Sequence, residues 1–168
     1  LLNLPDAVSL QCLADRLEYL GLSSQWQRAI AFIRHSPMKA VSEASAWQLM
    51  NTAVGLALVM REANRADYGN HALGVSLSWS TPWGNVELTA WDTVVHAYDV
   101  MTGFVRGIAH RFDVRNGNNG VSYRVEMRMA AEAAGLASRS YGTVTSGLPA
   151  DRARLRNQGA LLKEVREL

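Results

Sequence analysis

Between Pro5 and Leu20 the apolar residues Val8, Leu10, Leu13, Leu17 and Leu20 recur at close to helical spacing, and Gly21 follows. That period predicts a short amphipathic helix closed by the glycine. Ser23 or Ser24 is placed to cap a second helix through Trp26, Ile30 and Ile33, which must stop near His35 because Pro37 disfavours helix in the residue before it. From Ser42 to Asn64 apolar side chains (Trp47, Leu49, Met50, Val54, Leu56, Leu58, Val59) spread around most of the helix circumference. Such a helix is expected to be the central one, buried on several sides. The polar run Asn64 to Asn70 reads as a loop.

The period then changes. Leu73, Val75, Leu77 and Trp79 alternate with small or polar residues, Thr81 to Asn85 interrupts, and Val86 and Leu88 alternate again, which predicts a β-hairpin over about 72–90. A lone hairpin is marginal in water, so it must pack on the helices or pair with another subunit. Helical spacing returns from Trp91 to His110 through Val94, Val95, Tyr98, Met101, Phe104, Val105 and Ile108, with Trp91 and Tyr98 expected in the core. Gly117 to Gly120 breaks the chain, Val121 to Leu136 reads as a helix, Gly142 to Gly147 as a loop, and Pro149 opens a last helix. The fold class is mainly α: a helical-bundle core with one hairpin.

At 168 residues, with 48% hydrophobic and 19% charged side chains, the chain fits one globular domain over 1–168 and not a disordered polymer. It starts at Leu1, which is read as an N-terminal arm missing before that residue. No apolar run approaches the ~20 residues of a membrane span, no signal-peptide pattern is present, and no membrane partner is expected. Cys12, the single cysteine, falls in the apolar pattern of the first helix and is expected to be a small core residue. The net charge of +2 conceals a split: residues 1–100 carry 6 basic and 9 acidic groups, residues 101–168 carry 11 and 6. Fifteen of the seventeen cations are arginines, whose planar fork suits phosphate and stacks on bases.

Catalytic motifs are missing: there is no P-loop, no G-x-G-x-x-G, no G-x-S-x-G elbow and no cysteine placed for nucleophilic work. Neither catalytic residues nor a cofactor is assigned. Asp92, His96 and Asp99 share one helical face if the helix begins at Trp91, with His110 and Asp113 further on. Acids and histidines recur at such spacing by chance, and Asp92 also suits a helix N-terminus, so no metal is assigned. Ala130 to Ser146 is laid out like a helix-turn-helix with Gly135 at its turn. As the alternative function, a DNA-binding regulator, it would use Arg139 and Ser140 to choose between DNA sequences.

Taken in order, residues 45–168 resemble the core of coat proteins of flexible filamentous plant viruses, of the potyvirus and potexvirus type. The likeness lies in a succession: an apolar helix ending in GLALVMREANRADYGN, the hairpin ALGVSLSWSTPWGNVEL, the helix HAYDVMTGFVRGIAH, an alanine-rich helix, the loop TVTSGLP, and the final helix ADRARLRNQGALLKEV. The resemblance implies a coat or nucleocapsid protein, resident in the virion and host cytoplasm, that assembles head to tail with copies of itself and binds single-stranded genomic RNA without sequence specificity. It places Arg106, in Phe104-Val105-Arg106, at the family's arginine facing the RNA backbone, and Arg65 in the loop that contacts RNA. His110, Arg139 and Ser140 contribute nearby. The family's aspartate before the last loop has no counterpart, Ser138, Arg139 and Ser140 standing in its place. Physically, such a subunit needs arginines along a groove and an interface that does not close on itself.

Overall fold

The computed structural model describes residues 6–35 and 44–131. Its elements run α1 (Asp6–Leu22), α2 (Trp26–His35), α3 (Ala46–Arg65), β1 (Leu77–Thr81), β2 (Gly84–Leu88), α4 (Val94–Asn116) and α5 (Gly120–Ala130). All of these belong to one compact unit, Leu1–Ala137. The mainly helical class with one hairpin is therefore observed, whereas the expected loop at 142–147, the last helix from Pro149 and the helix-turn-helix over 130–146 lie, apart from its first two residues, outside the described residues.

Helix α3 is the axis of the packing. Every residue from Leu49 to Met60 is buried, because α1, α2, α4 and α5 all lie against it. Its start is fixed three residues later than the apolar pattern suggests, by a capping box. Ser45 Oγ accepts the Gln48 N–H at 3.3 Å, and Gln48 Oε1 accepts the Ser45 N–H at 3.0 Å. Against α3, α1 comes in at contact distance through two glycines. A Cβ on Gly55 would lie 2.8 Å from Leu17 Cβ, and one on Gly21 would lie 2.8 Å from Leu58 Cβ and 2.9 Å from the Val59 nitrogen. Helix α1 ends at Leu22, one residue beyond the expected Gly21, and at Gly21 the crossing leaves no room for a side chain. Ser23 also fails as a cap for α2, since its hydroxyl donates back to Leu20 O. Cys12, expected in the core, is exposed: the buried stripe of α1 runs through Leu10, Ala14, Leu17 and Leu20, and Cys12 falls off it.

The hairpin pairs Leu77 with Leu88, Trp79 with Val86 and Thr81 with Gly84 around a Pro82-Trp83 turn. Leu77, Trp79, Val86 and Leu88 face the core, while Ser78–Glu87 and Ser80–Asn85 pair outward at 2.8 and 3.1 Å. It packs on α4, where Trp79 meets the edge of Phe104, and its turn is pinned by Phe112, which takes Trp83 and Trp47 edge-on at 4.8 and 5.3 Å. Ahead of β1, residues 72–74 pair with 90–93 outside the named strands. Helix α4 begins at Val94, not Trp91, because Thr93 Oγ1 caps it by accepting the His96 N–H. It ends at Gly117, whose φ of 67° only glycine adopts without strain.

Candidate nucleic-acid interface

The C-terminal half of the described chain is where cations accumulate. Residues 101–131 hold five arginines against two acids, and both acids are engaged. Helix α5 has no side-chain cap of its own. Asp113, reaching from α4, accepts the N–H groups of Val121 at 2.8 Å and Ser122 at 3.0 Å. Burial acts to raise the Asp113 pKa, but hydrogen bonds from Ser122 and Val121, with His110 nearby, hold it below the ordinary carboxylate range. The far end of α5 is held by Arg61 of α3, which donates to Met129 O and, at 2.8 Å, to Ala131 O. Arg128, in the last turn, fastens the inner face, donating to both oxygens of Glu18 on α1 and at 2.6 Å to Asn51 on α3. With both ends and one face of α5 fixed, its outer face and that of α4 form a rigid surface.

Helical spacing sets the layout of that surface on α4. Arg106 and His110 lie along its α5 side, Arg111 and Arg115 along its hairpin side, and Gly103, Gly107 and Val114 between the two rows; all seven are exposed. Nothing approaches the two glycines within 4 Å. Arg111, Arg115 and Arg124 make no hydrogen bond or ion pair among the described residues.

Arg106 is engaged but accessible. Its Nε donates to Glu126 Oε1 at 2.7 Å and its Nη2 to Oε2 at 3.2 Å, with side chains 59% and 50% exposed. The hydrogen bond with Glu126 raises the arginine's pKa and lowers the carboxylate's. An exposed pair of this kind contributes roughly 0–1 kcal/mol, so transfer of the guanidinium to a phosphate costs little. Arg128, also bidentate but only 32% exposed and bound to Asn51 as well, is a structural clamp by comparison.

Arg65 is placed elsewhere. It closes α3 and bonds Glu62, a buried carboxylate that Arg61 also contacts. Since α3 and α4 run antiparallel with Trp47 beside Phe112, Arg106 lies level with about residue 53, and Arg65 is about 18 Å further along. Arg106 and His110 are brought together; Arg65 does not join them. Arg139 and Ser140 lie outside the described residues.

Asp92 does not share a helical face with His96 and Asp99. It precedes α4, and its carboxylate accepts the Thr89 N–H and hydroxyl at 2.6 and 2.9 Å, with His96 at 3.8 Å. These Thr89 bonds hold its pKa low. Among the described residues no group of three acids, histidines or cysteines is arranged to hold a metal, and no helix is long and apolar enough to cross a membrane. Trp91, expected in the core, is 87% exposed, whereas Tyr98 packs against the core as expected. Arg111, Arg115 and Arg124, without a partner among the described residues, were visible in the sequence only as part of its basic half. Comparison with protein-family models, with curated proteins and with solved structures finds no match to this chain.

Proposed function

We propose that this chain is a non-catalytic, self-assembling coat or nucleocapsid-type protein, of the flexuous-virus coat kind, that binds single-stranded RNA without sequence specificity. Its sites of action would be the virion and host cytoplasm. One observation supports the RNA reading: Arg106, Arg111 and Arg115 on the open face of α4 and Arg124 on α5 are exposed, and among the described residues Arg111, Arg115 and Arg124 have no ion-pair partner. Cations fixed on a rigid surface attract a phosphate backbone irrespective of base sequence. Arg106 adds a fork already held open by a carboxylate, the geometry a phosphate also takes. For self-assembly, support comes from the large apolar side chains left exposed on α5 and before α4: Tyr123 and Met127, and Trp91.

The test is binding of labelled homopolymer RNA over a range of salt. The wild type is expected to bind with a steep salt dependence and no preference among homopolymers. Changing Arg111, Arg115 and Arg124 together to Gln should flatten the slope by about two to three. A slope unchanged by that triple substitution, or no binding at low salt, refutes the reading.

A further inference from the structure

Trp91, 87% exposed, is the most exposed of the large apolar side chains described, and its backbone is fixed. It is the third residue of a turn over 89–92, in which Asp92 N–H donates to Thr89 O at 3.2 Å and the Asp92 carboxylate accepts both Thr89 donors. Ala90 N–H donates to Ser76 Oγ at 3.1 Å, and the carbonyls of Ala90 and Asp92 accept the N–H groups of Gly74 and Leu73. An indole presented by a tied turn loses little further freedom when a partner covers it. The turn carries one acid and no cation. Asp99, exposed on the second turn of α4, has no ion-pair partner among the described residues.

A second apolar feature lies toward the other end of α4 and is accompanied by the opposite charge. Tyr123 and Met127, 66% and 59% exposed, are four residues apart on α5 and so share its outer face, with the exposed Arg124 next to Tyr123. Tyr123 follows Ser122, whose N–H Asp113 accepts, and Asp113 lies about 28 Å along α4 from Val94. The bonds that hold both ends of α5 hold this face as well. A phenol, a thioether and a guanidinium are each groups that an indole packs against: ring on ring, sulfur at the ring edge, cation over the ring face.

Resting on the self-assembly reading above, we propose that copies of this chain associate head to tail, the Trp91 turn of one copy packing on the Tyr123–Met127 face of the next. Charge sets the pairing. Two α5 faces brought together about a two-fold axis would oppose their Arg124 guanidiniums, and two Trp91 turns would oppose their carboxylates. The unlike pair instead sets Trp91, with Asp92 and Asp99, against Arg124. Because the two surfaces are different and lie far apart along α4, a copy bound through one keeps the other free. The contact therefore extends from copy to copy and does not stop at two.

Sedimentation of the RNA-free protein at rising concentration tests this with two variants: Trp91→Ala, which removes the inserted ring, and Met127→Glu, which spoils the receiving face. Both side chains are exposed, so melting temperatures should match that of the wild type. The wild type should grow past the dimer. Each variant alone should stay monomeric, and an equal mixture of the two should form a dimer and stop there, since one intact contact is left between them. Trp91→Phe should recover most of the association. A Trp91→Ala protein that still grows as the wild type does, or a mixture that stays monomeric, overturns this contact while leaving self-assembly in place. A wild type that remains monomeric removes both. RNA binding is read separately, with a labelled oligonucleotide too short to hold two copies, which Trp91→Ala should bind as the wild type does. Weaker binding by that variant overturns the contact and assigns the indole to RNA.

Discussion

Asp113 shows how much one residue carries. It is a helix cap reached across space, joining α4 to the start of α5 by two amide hydrogen bonds. Its folded pKa is depressed, so its stabilisation is complete above the unfolded carboxylate value of about 4 and is lost as pH falls through the lower folded value. Thermal melts should therefore show the wild type losing stability below about pH 4, and Asp113→Ala should be less stable at neutral pH with a smaller acid loss. Glu126 makes the complementary case. If its carboxylate competes with phosphate for Arg106, then Glu126→Gln should tighten RNA binding about two- to fivefold, as the release of an exposed ion pair allows. Weaker binding would make the pair a support for the site and not a competitor.

At the scale of the helix, the same residue type has opposite consequences in two places. Gly21 and Gly55 lie where α1 and α3 touch, and an added Cβ would meet backbone or Cβ atoms at 2.8–3.0 Å. Alanine there gains about 1 kcal/mol of helix propensity but forces apart two packed backbones, a cost of about 1–3 kcal/mol. Gly55→Ala is expected to lower stability in urea denaturation. Gly103 and Gly107 lie on the open face of α4, where only the propensity operates. Gly103→Ala and Gly107→Ala should each raise stability by about 0.5–1 kcal/mol. If the open face is the RNA track, the same two substitutions should weaken RNA binding while stabilising the fold, a combination that a purely structural role for these glycines would not give.

For the molecule as a whole, the proposed RNA binding turns on which arginines folding consumes. Arg61 caps α5, Arg128 clamps it to α1 and α3, and Arg34 lies on carbonyls at the base of the hairpin. Arg111, Arg115 and Arg124 have no such partner among the described residues and are the ones the proposed RNA binding would use. Substituting Arg128 with Ala should unfold or loosen α5 and so reduce RNA binding only through lost stability, with a lowered melting temperature; the Arg111, Arg115 and Arg124 substitutions should leave melting unchanged while binding falls. The contrast separates structural from binding arginines by two measurements on the same proteins.

The apolar periods by themselves determined the existence of the first four described helices and the hairpin, while the helix expected over 121–136 from its alanine-rich half is observed as α5 over Gly120–Ala130. They also marked α3 as the central helix, since no face of it is polar enough to meet water. Tertiary structure decided what depends on partners distant in sequence. Gly21 can carry no side chain because Leu58 and Val59 press on it, Cys12 is exposed because the buried stripe of α1 passes it by, and Trp91 is exposed because it lies in the 89–92 turn ahead of α4 and not on the helix. The clustering of Arg106 with His110 was legible as helical spacing. The distance of Arg65 from both, and the pairing of Arg106 with Glu126, required the antiparallel packing of α3, α4 and α5: local period fixes which way a side chain points, but only packing fixes what it meets.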